Sequence, residues 1–256
     1  MKRVEFIGAS YVGKSTIYKE LAKKLDSESQ YLTEEQFLKL GRSEMGLTVF
    51  IYRKVKQLFI NNFGGFYNLY QTQEIEYIDD TTFKNYEQTL TMCFKDDVIK
   101  LKGLEFSNKI YLSTLKKVAQ YNYYQSLNSE KTILVEESII HWHLAMHVLL
   151  LNNKFNLDEG SNKDIGLFPK AIIYCYADEE TILKRIKLRE KDKKINSNHI
   201  NLTRNEILNK AIVKQNMFLE YAKFAEDIGS NVLRINTADS IKENIQKIDA
   251  FLKVIH

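Results

Sequence analysis

Proline is almost absent from this sequence, with a single Pro169 in 256 residues, and cysteine occurs only at Cys93 and Cys175. Two cysteines far apart make neither a disulfide framework nor a zinc pattern. They fit a reducing compartment, and a cytoplasmic location is the expectation. No apolar run approaches the roughly 20 residues of a membrane span, and the longest, His147 to Leu151, stops at Asn152-Asn153-Lys154. The basic start Met1-Lys2-Arg3 is followed by too short an apolar stretch for a signal peptide. Internal repeats, low-complexity tracts and Pro/Gly/Ser linkers are lacking, which excludes solenoids and tethered modules. A net charge of +4 is mild. It suits a protein that handles phosphates and is weak evidence for a nucleic-acid binder, which usually needs a clustered basic face; the one basic run, Lys184 to Lys194, has no basic stripe elsewhere to extend it.

What the sequence does contain is alternation. Arg3 to Ile7 reads as a first strand, and Ser15 to Leu25 as a helix with Ile17, Leu21, Ala22 and Leu25 on one face. Gln30 to Thr33 reads as a second strand. Thr132 to Val135 and Ala171 to Tyr176 are apolar throughout, as strands covered on both faces are. Ile139 to Leu151 reads as a helix. Asp178 is placed to cap a helix over 179–190. Thr203-x2-Glu206 and Ser240-x2-Glu243 are capping boxes, and Gly229 is placed to end the long helix between them. Asn231 to Ile235 is the last strand. Strands alternating with helices predict an α/β fold with a mainly parallel sheet and helices on both faces. The stretch 44–130 is long, aromatic and helical in pattern, and reads as an insertion within one domain spanning 1–256.

The motif that carries chemistry is Gly8-Ala9-Ser10-Tyr11-Val12-Gly13-Lys14-Ser15. Its glycines permit a tight turn whose N–H groups face inward, at the positive end of the helix that follows. In such a phosphate loop Lys14 reaches the β- and γ-phosphates, the Ser15 hydroxyl ligates Mg²⁺, and Thr16 stands in the first helical turn. The motif falls between a buried strand and an amphipathic helix, the context that gives it meaning.

On these residues, on Ile133-Leu134-Val135 with Glu136-Glu137-Ser138, on Ile172 to Asp178 leading into Arg185-x3-Arg189, and on Val232 to Asp239 before a final helix, the chain resembles the P-loop small-molecule kinases, the nucleoside and nucleotide monophosphate kinase group. The resemblance implies a three-layer fold with a five-stranded sheet of order 2-3-1-4-5, the helical insertion lying between strands 2 and 3. It also implies Mg-ATP as phosphoryl donor and a small-molecule hydroxyl or phosphate as acceptor. Glu136 then serves water-mediated Mg²⁺ binding, and Glu34 or Glu35 is the base that orients the acceptor. Arg185 and Arg189 lie on a lid over the phosphates, with 191–201 as its mobile part. Asn236 and Thr237 lie beside the adenine. Arg42, Arg53, Glu137 and His141 are candidates for holding the acceptor. Where that group carries Glu-Arg-Ser after the third strand, this chain has Glu136-Glu137-Ser138, so the arginine is missing. A homodimer is compatible with this reading.

Three alternatives are distinguishable. A GTPase-like switch calls for a DxxG after a strand, which is lacking, and Asn153-Lys154-Phe155-Asn156 is only a partial NKxD. A P-loop sulfotransferase usually lacks so complete a motif. A nucleotide-bound interaction protein would use 44–130 to recruit a partner. His143 and His147 have zinc-ligand spacing but no third ligand is evident, and they read as packing residues around Trp142.

Overall fold

The computed structural model describes residues 2–26, 29–37, 103–126, 130–136, 169–195 and 199–255. Its sheet has five strands: β1 (Lys2–Ile7), β2 (Tyr31–Thr33), β3 (Thr132–Val135), β4 (Ala171–Tyr176) and β5 (Asn231–Asn236), in the order β2-β3-β1-β4-β5. The helices are α1 (Lys14–Ala22), α2 (Leu104–Ser126), α3 (Glu179–Lys191), α4 (Arg204–Asp227) and α5 (Ile241–Ile255). The order is the one implied by the resemblance. β1 runs parallel to β4, with Val4 opposite Ala171 and Ile7 opposite Tyr174. β4 runs parallel to β5, from Ala171 opposite Asn231 to Tyr176 opposite Asn236.

The chain divides into two compact units. The first comprises 1–2, 27–133 and 145–167. Its described part holds β2, one helical turn at 34–37, α2 and the start of β3. Thr33 and Gln36 form a reciprocal cap on that turn: the Thr33 N–H donates to Gln36 Oε1 at 2.9 Å and the Gln36 N–H to Thr33 Oγ1 at 3.2 Å. α2 is 23 residues long, so the described end of the 44–130 stretch is helical, as expected. It buries Ser107, Ile110, Thr114 and Val118, spaced three and four apart along one face.

The second unit comprises 3–26, 134–144 and 168–256. Its strands are apolar because they are covered: Ile172, Ile173 and Cys175 in β4 and Phe6 and Ile7 in β1 are without exposed surface. α5 places Ile245, Ile248, Leu252 and Ile255 on its buried face, each side chain contributing on the order of 2 kcal/mol by leaving water. Asp178 caps α3 by accepting from the Thr181 N–H at 2.7 Å. Thr203 and Glu206 make the capping box of α4, and Ser240 and Glu243 that of α5. α4 ends in a Schellman arrangement: the Ser230 N–H reaches the Ala225 carbonyl at 2.8 Å and the Gly229 N–H the Glu226 carbonyl at 2.9 Å.

Element ends differ from the sequence reading by a few residues. α1 stops at Ala22 rather than Leu25, because the Lys24 and Leu25 N–H groups turn to the Leu21 and Ala22 carbonyls, three residues back. β2 starts at Tyr31, and β5 runs one residue further, to Asn236. The expected helix over 139–151, most of the insertion, and Trp142, His143 and His147 lie outside the described residues.

Candidate nucleotide site

Gly8 follows β1, Glu136 follows β3, Ala177 follows β4 and Thr237 follows β5. These are the carboxyl ends of the strands, where open parallel sheets bind their ligands. All four belong to the second unit.

The loop after β1 is shaped by backbone crowding. A Cβ on Gly8 would lie 2.6 Å from the Cys175 carbonyl oxygen, so β1 and β4 approach more closely here than any side chain permits. Tyr11 takes a left-handed conformation, φ 68°, and Gly13 has φ 93°. A non-glycine residue in that region is strained and persists where its surroundings hold it. Tyr11 is held on two sides. Its hydroxyl is 3.0 Å from His199 Nδ1 and its ring stacks on the imidazole with centroids 5.6 Å apart. The Arg189 guanidinium lies 5.0 Å from the ring centroid, a cation–π distance. His199 is buried, and desolvation, then the charges of Lys214 and Lys210, lower its pKa. The shift favours the neutral ring, in which the tautomer decides whether Nδ1 donates to or accepts from the Tyr11 hydroxyl.

Gly13 opens α1 without a side-chain cap, and no acid stands in the first turn. The positive end of the helix dipole is thus not answered by the helix's own side chains. Lys14 is only 6% exposed. Its Nζ donates to the Glu136 carbonyl at 2.6 Å and stands 3.7 Å from Glu136 Oε1. The Glu136 side chain is 25% exposed. Ser15 is half-buried, and Thr16 is exposed beside it.

Arg185 and Arg189 share a helical face by spacing, but they do different things. Arg185 is half-buried and donates three times: Nη1 to the Val12 carbonyl at 2.6 Å and to Thr237 Oγ1 at 2.9 Å, and Nη2 to the Thr237 carbonyl at 2.7 Å. Burial lowers its pKa from the ordinary arginine value, with Asp178 opposing and Arg189 adding to the shift. The Thr237 hydroxyl also lies against the Val12 and Tyr176 carbonyls. With Thr237 only 5% exposed, its side chain is engaged inside the loop rather than open to a base. Asn236 is half-buried, and its Oδ1 accepts from the Ala238 N–H at 3.0 Å.

Of the remaining candidates, Glu34 and Glu35 are among the described residues. Glu34 belongs to the first unit, where Lys117 of α2 donates to its carboxylate at 2.9 Å. Glu35 stands next to it in the same helical turn. Arg42, Arg53, Glu137 and His141 lie outside the described residues. Sequence reasoning missed His199, which sits within a stretch that is polar and without pattern. Its partner Tyr11 is 188 positions away, so no local signal could have paired them. Among the described residues no group of three or more His, Cys, Asp or Glu is arranged to hold a metal by itself. No described helix is long and apolar enough to cross a membrane.

No protein-family model matches the chain, and no curated protein matches its sequence. Solved structures of deoxyadenosine kinase from M. mycoides are similar to it. The one with products dCMP and a flexible dCDP bound is 16% identical, with a TM-score of 0.46 over 99% of this chain and 100% of that one. The one with bound dCTP is 15% identical, with a TM-score of 0.47 over 98% and 99%. The one with bound dATP is 17% identical, with a TM-score of 0.43 over 99% and 100%. The strand order and the glycine-framed loop from β1 into α1 are by themselves those of a P-loop fold.

Proposed function

We propose that the chain is an ATP-dependent phosphotransferase acting on a small molecule through a hydroxyl or phosphate acceptor. The observation that carries this reading is the glycine-framed loop opening into the uncapped N-terminus of α1, with the Lys14 ammonium beside it at the end of β3.

The donor set suits a magnesium nucleotide. The loop amides and the helix end favour an anion. Lys14 supplies a full positive charge that exchanges its hold on Glu136 for phosphate oxygens. The Ser15 hydroxyl and, through water, the Glu136 carboxylate are oxygen donors of the kind Mg²⁺ takes. Mg²⁺, when bound, neutralises phosphate charge and orients the transferring group. Arg189, exposed and resting on Tyr11, is free to add positive charge over the phosphates. Asn236 lies at the strand end on the adenine side. Glu34 or Glu35 orients the acceptor, and Arg42, Arg53, Glu137 and His141 are its proposed contacts.

The test is a thermal-shift screen with Mg²⁺, a non-hydrolysable ATP analogue and panels of nucleosides, nucleotides, sugars and cofactors. Ligand at 100 times its Kd raises apparent stability by about 2.7 kcal/mol. The expected result is a shift with the ATP analogue, a further shift with the right acceptor, and Mg²⁺-dependent turnover of that pair. Lys14→Ala should reduce that turnover by at least about a hundredfold. Undiminished turnover in Lys14→Ala would remove the mechanism. Tight nucleotide binding without turnover of any acceptor would favour an interaction protein instead.

A further inference from the structure

A peptide unit is planar and trans, so its C=O and N–H point in opposite directions. In a loop whose amides converge on an anion, the carbonyls therefore face outward. The guanidinium of Arg185 donates to one of these outward carbonyls, that of Val12, at 2.6 Å. The N–H on the far side of the same peptide belongs to Gly13, the residue that opens α1.

Two further contacts fix the guanidinium. Thr237 accepts from Nη1 through its hydroxyl and from Nη2 through its carbonyl. Thr237 is in turn tied to β4, its own N–H donating to the Tyr176 carbonyl at 2.8 Å. The guanidinium thus spans from the phosphate loop to the strand ends of β4 and β5. The guanidinium packs against Gly13. A Cβ at Gly13 would stand 2.9 Å from Nη1 and 3.1 Å from Cζ, so a side chain there would push the guanidinium off its contacts, besides straining a φ of 93°.

We propose that Arg185 is a positioning residue that acts on bound phosphate through the Val12–Gly13 peptide, turning the Gly13 N–H toward the anion and strengthening it as a donor, and does not itself meet the transferring phosphoryl group. Two physical effects carry this. Holding the carbonyl by a charged donor fixes the peptide plane before ligand arrives, which reduces the ordering cost of binding. A cation on the carbonyl also polarises the amide, as donors and acceptors in a chain strengthen one another. Arg189, four residues on and resting on Tyr11, is left as the arginine available to phosphate.

The inference rests on the nucleotide reading above and separates from it by experiment. A loop amide that cradles phosphate serves ADP and ATP alike, whereas an arginine on the terminal phosphoryl group serves ATP alone. Calorimetry with Mg-ADP and with a non-hydrolysable Mg-ATP analogue therefore distinguishes them. Arg185→Gln is expected to weaken both by the same factor, about tenfold. In the nucleotide-bound protein the Gly13 amide proton should move upfield relative to wild type. Arg185→Lys, which keeps the charge but not the planar fork, serves where Arg185→Gln does not fold, and should also weaken both ligands alike. Thr237→Val, which removes the hydroxyl that also donates to the Val12 carbonyl, should give a smaller loss in the same sense for both ligands, and the double variant should lose more than Arg185→Gln alone, because the two donors hold the same carbonyl. An unchanged ADP affinity beside weakened ATP-analogue binding or slowed turnover would overturn the proposal. So would a Gly13 resonance that does not respond. A wild-type chain that binds neither nucleotide defeats the nucleotide reading itself, and this inference with it.

Discussion

Lys14 and Glu136 form the pair on which the proposed chemistry turns. The ammonium is nearly buried and donates to a backbone carbonyl at 2.6 Å. The carboxylate is further off, at 3.7 Å. Replacing the side chain of Glu136 therefore leaves that backbone contact of Lys14 in place and removes a negative charge. That separates two roles. As a competitor for Lys14 the carboxylate opposes nucleotide binding, and as an outer-sphere partner of Mg²⁺ it favours it. Glu136→Gln is expected to bind ADP without Mg²⁺ at least as tightly as wild type. Its apparent Mg²⁺ affinity should fall by about tenfold, the usual loss when an outer-shell carboxylate is removed. Titrating Mg²⁺ against nucleotide binding reads both quantities. A variant that loses Mg²⁺-free binding and keeps its Mg²⁺ dependence would place the carboxylate in some other role.

At the level of elements, the chain shows which physical signals are local. The capping boxes at Thr203 and Ser240, the Asp178 cap and the buried strands β3 and β4 are each written in a few neighbouring residues, and each was legible in the sequence. Gly229 was readable for the same reason. It occupies φ 96° at the end of α4, where its N–H and that of Ser230 satisfy the last carbonyls of the helix. A Cβ there would meet nothing within 4 Å, so the cost of substitution is conformational alone. Gly229→Ala should destabilise the second unit by about 1 kcal/mol, measured as a shift in the denaturant midpoint with unchanged slope. A neutral substitution would mean that the helix end relaxes without that turn.

The division of labour between Arg185 and Arg189 was not legible, although both were singled out. Spacing four apart predicts a shared face. It cannot say that one side chain folds inward to Val12 and Thr237 while the other rests on Tyr11. Those contacts depend on where β5 and the phosphate loop lie in space. The same holds for His199, which only the fold brings to Tyr11.

For the whole molecule, the most sensitive reporter of intact packing is Cys175, at the centre of the second unit. It sits in β4 between β1 and β5, without exposed surface. Burial pushes its thiol up to about 12 from an ordinary 9.0, with the Lys14 charge pulling slightly the other way. The sign of the consequence follows from proton counting. Below about pH 9 the thiol is protonated whether the chain is folded or not, and its contribution to stability is fully present. Above it the unfolded chain releases the proton while the folded chain keeps it, so stability falls as pH climbs toward 12. Tyr174, whose phenol is raised by burial and then by Tyr176 and Cys175 against the opposing charge of Arg234, acts in the same sense from its own ordinary value of 10.0 upward. Between pH 9 and 10 the thiol is therefore the group to isolate. One proton gives a slope of at most about 1.4 kcal/mol per pH unit. In a Cys93→Ser background, which leaves Cys175 as the remaining thiol, denaturant midpoints should decline over that interval, and Cys175→Ala should flatten the decline relative to its own value at pH 8. Thiol reagents at pH 8 should leave the folded chain unmodified and label it on unfolding. Rapid labelling of the folded protein would mean that β4 opens to solvent. The loop that leans on its Cys175 carbonyl could not then keep the close approach that Gly8 is there to allow.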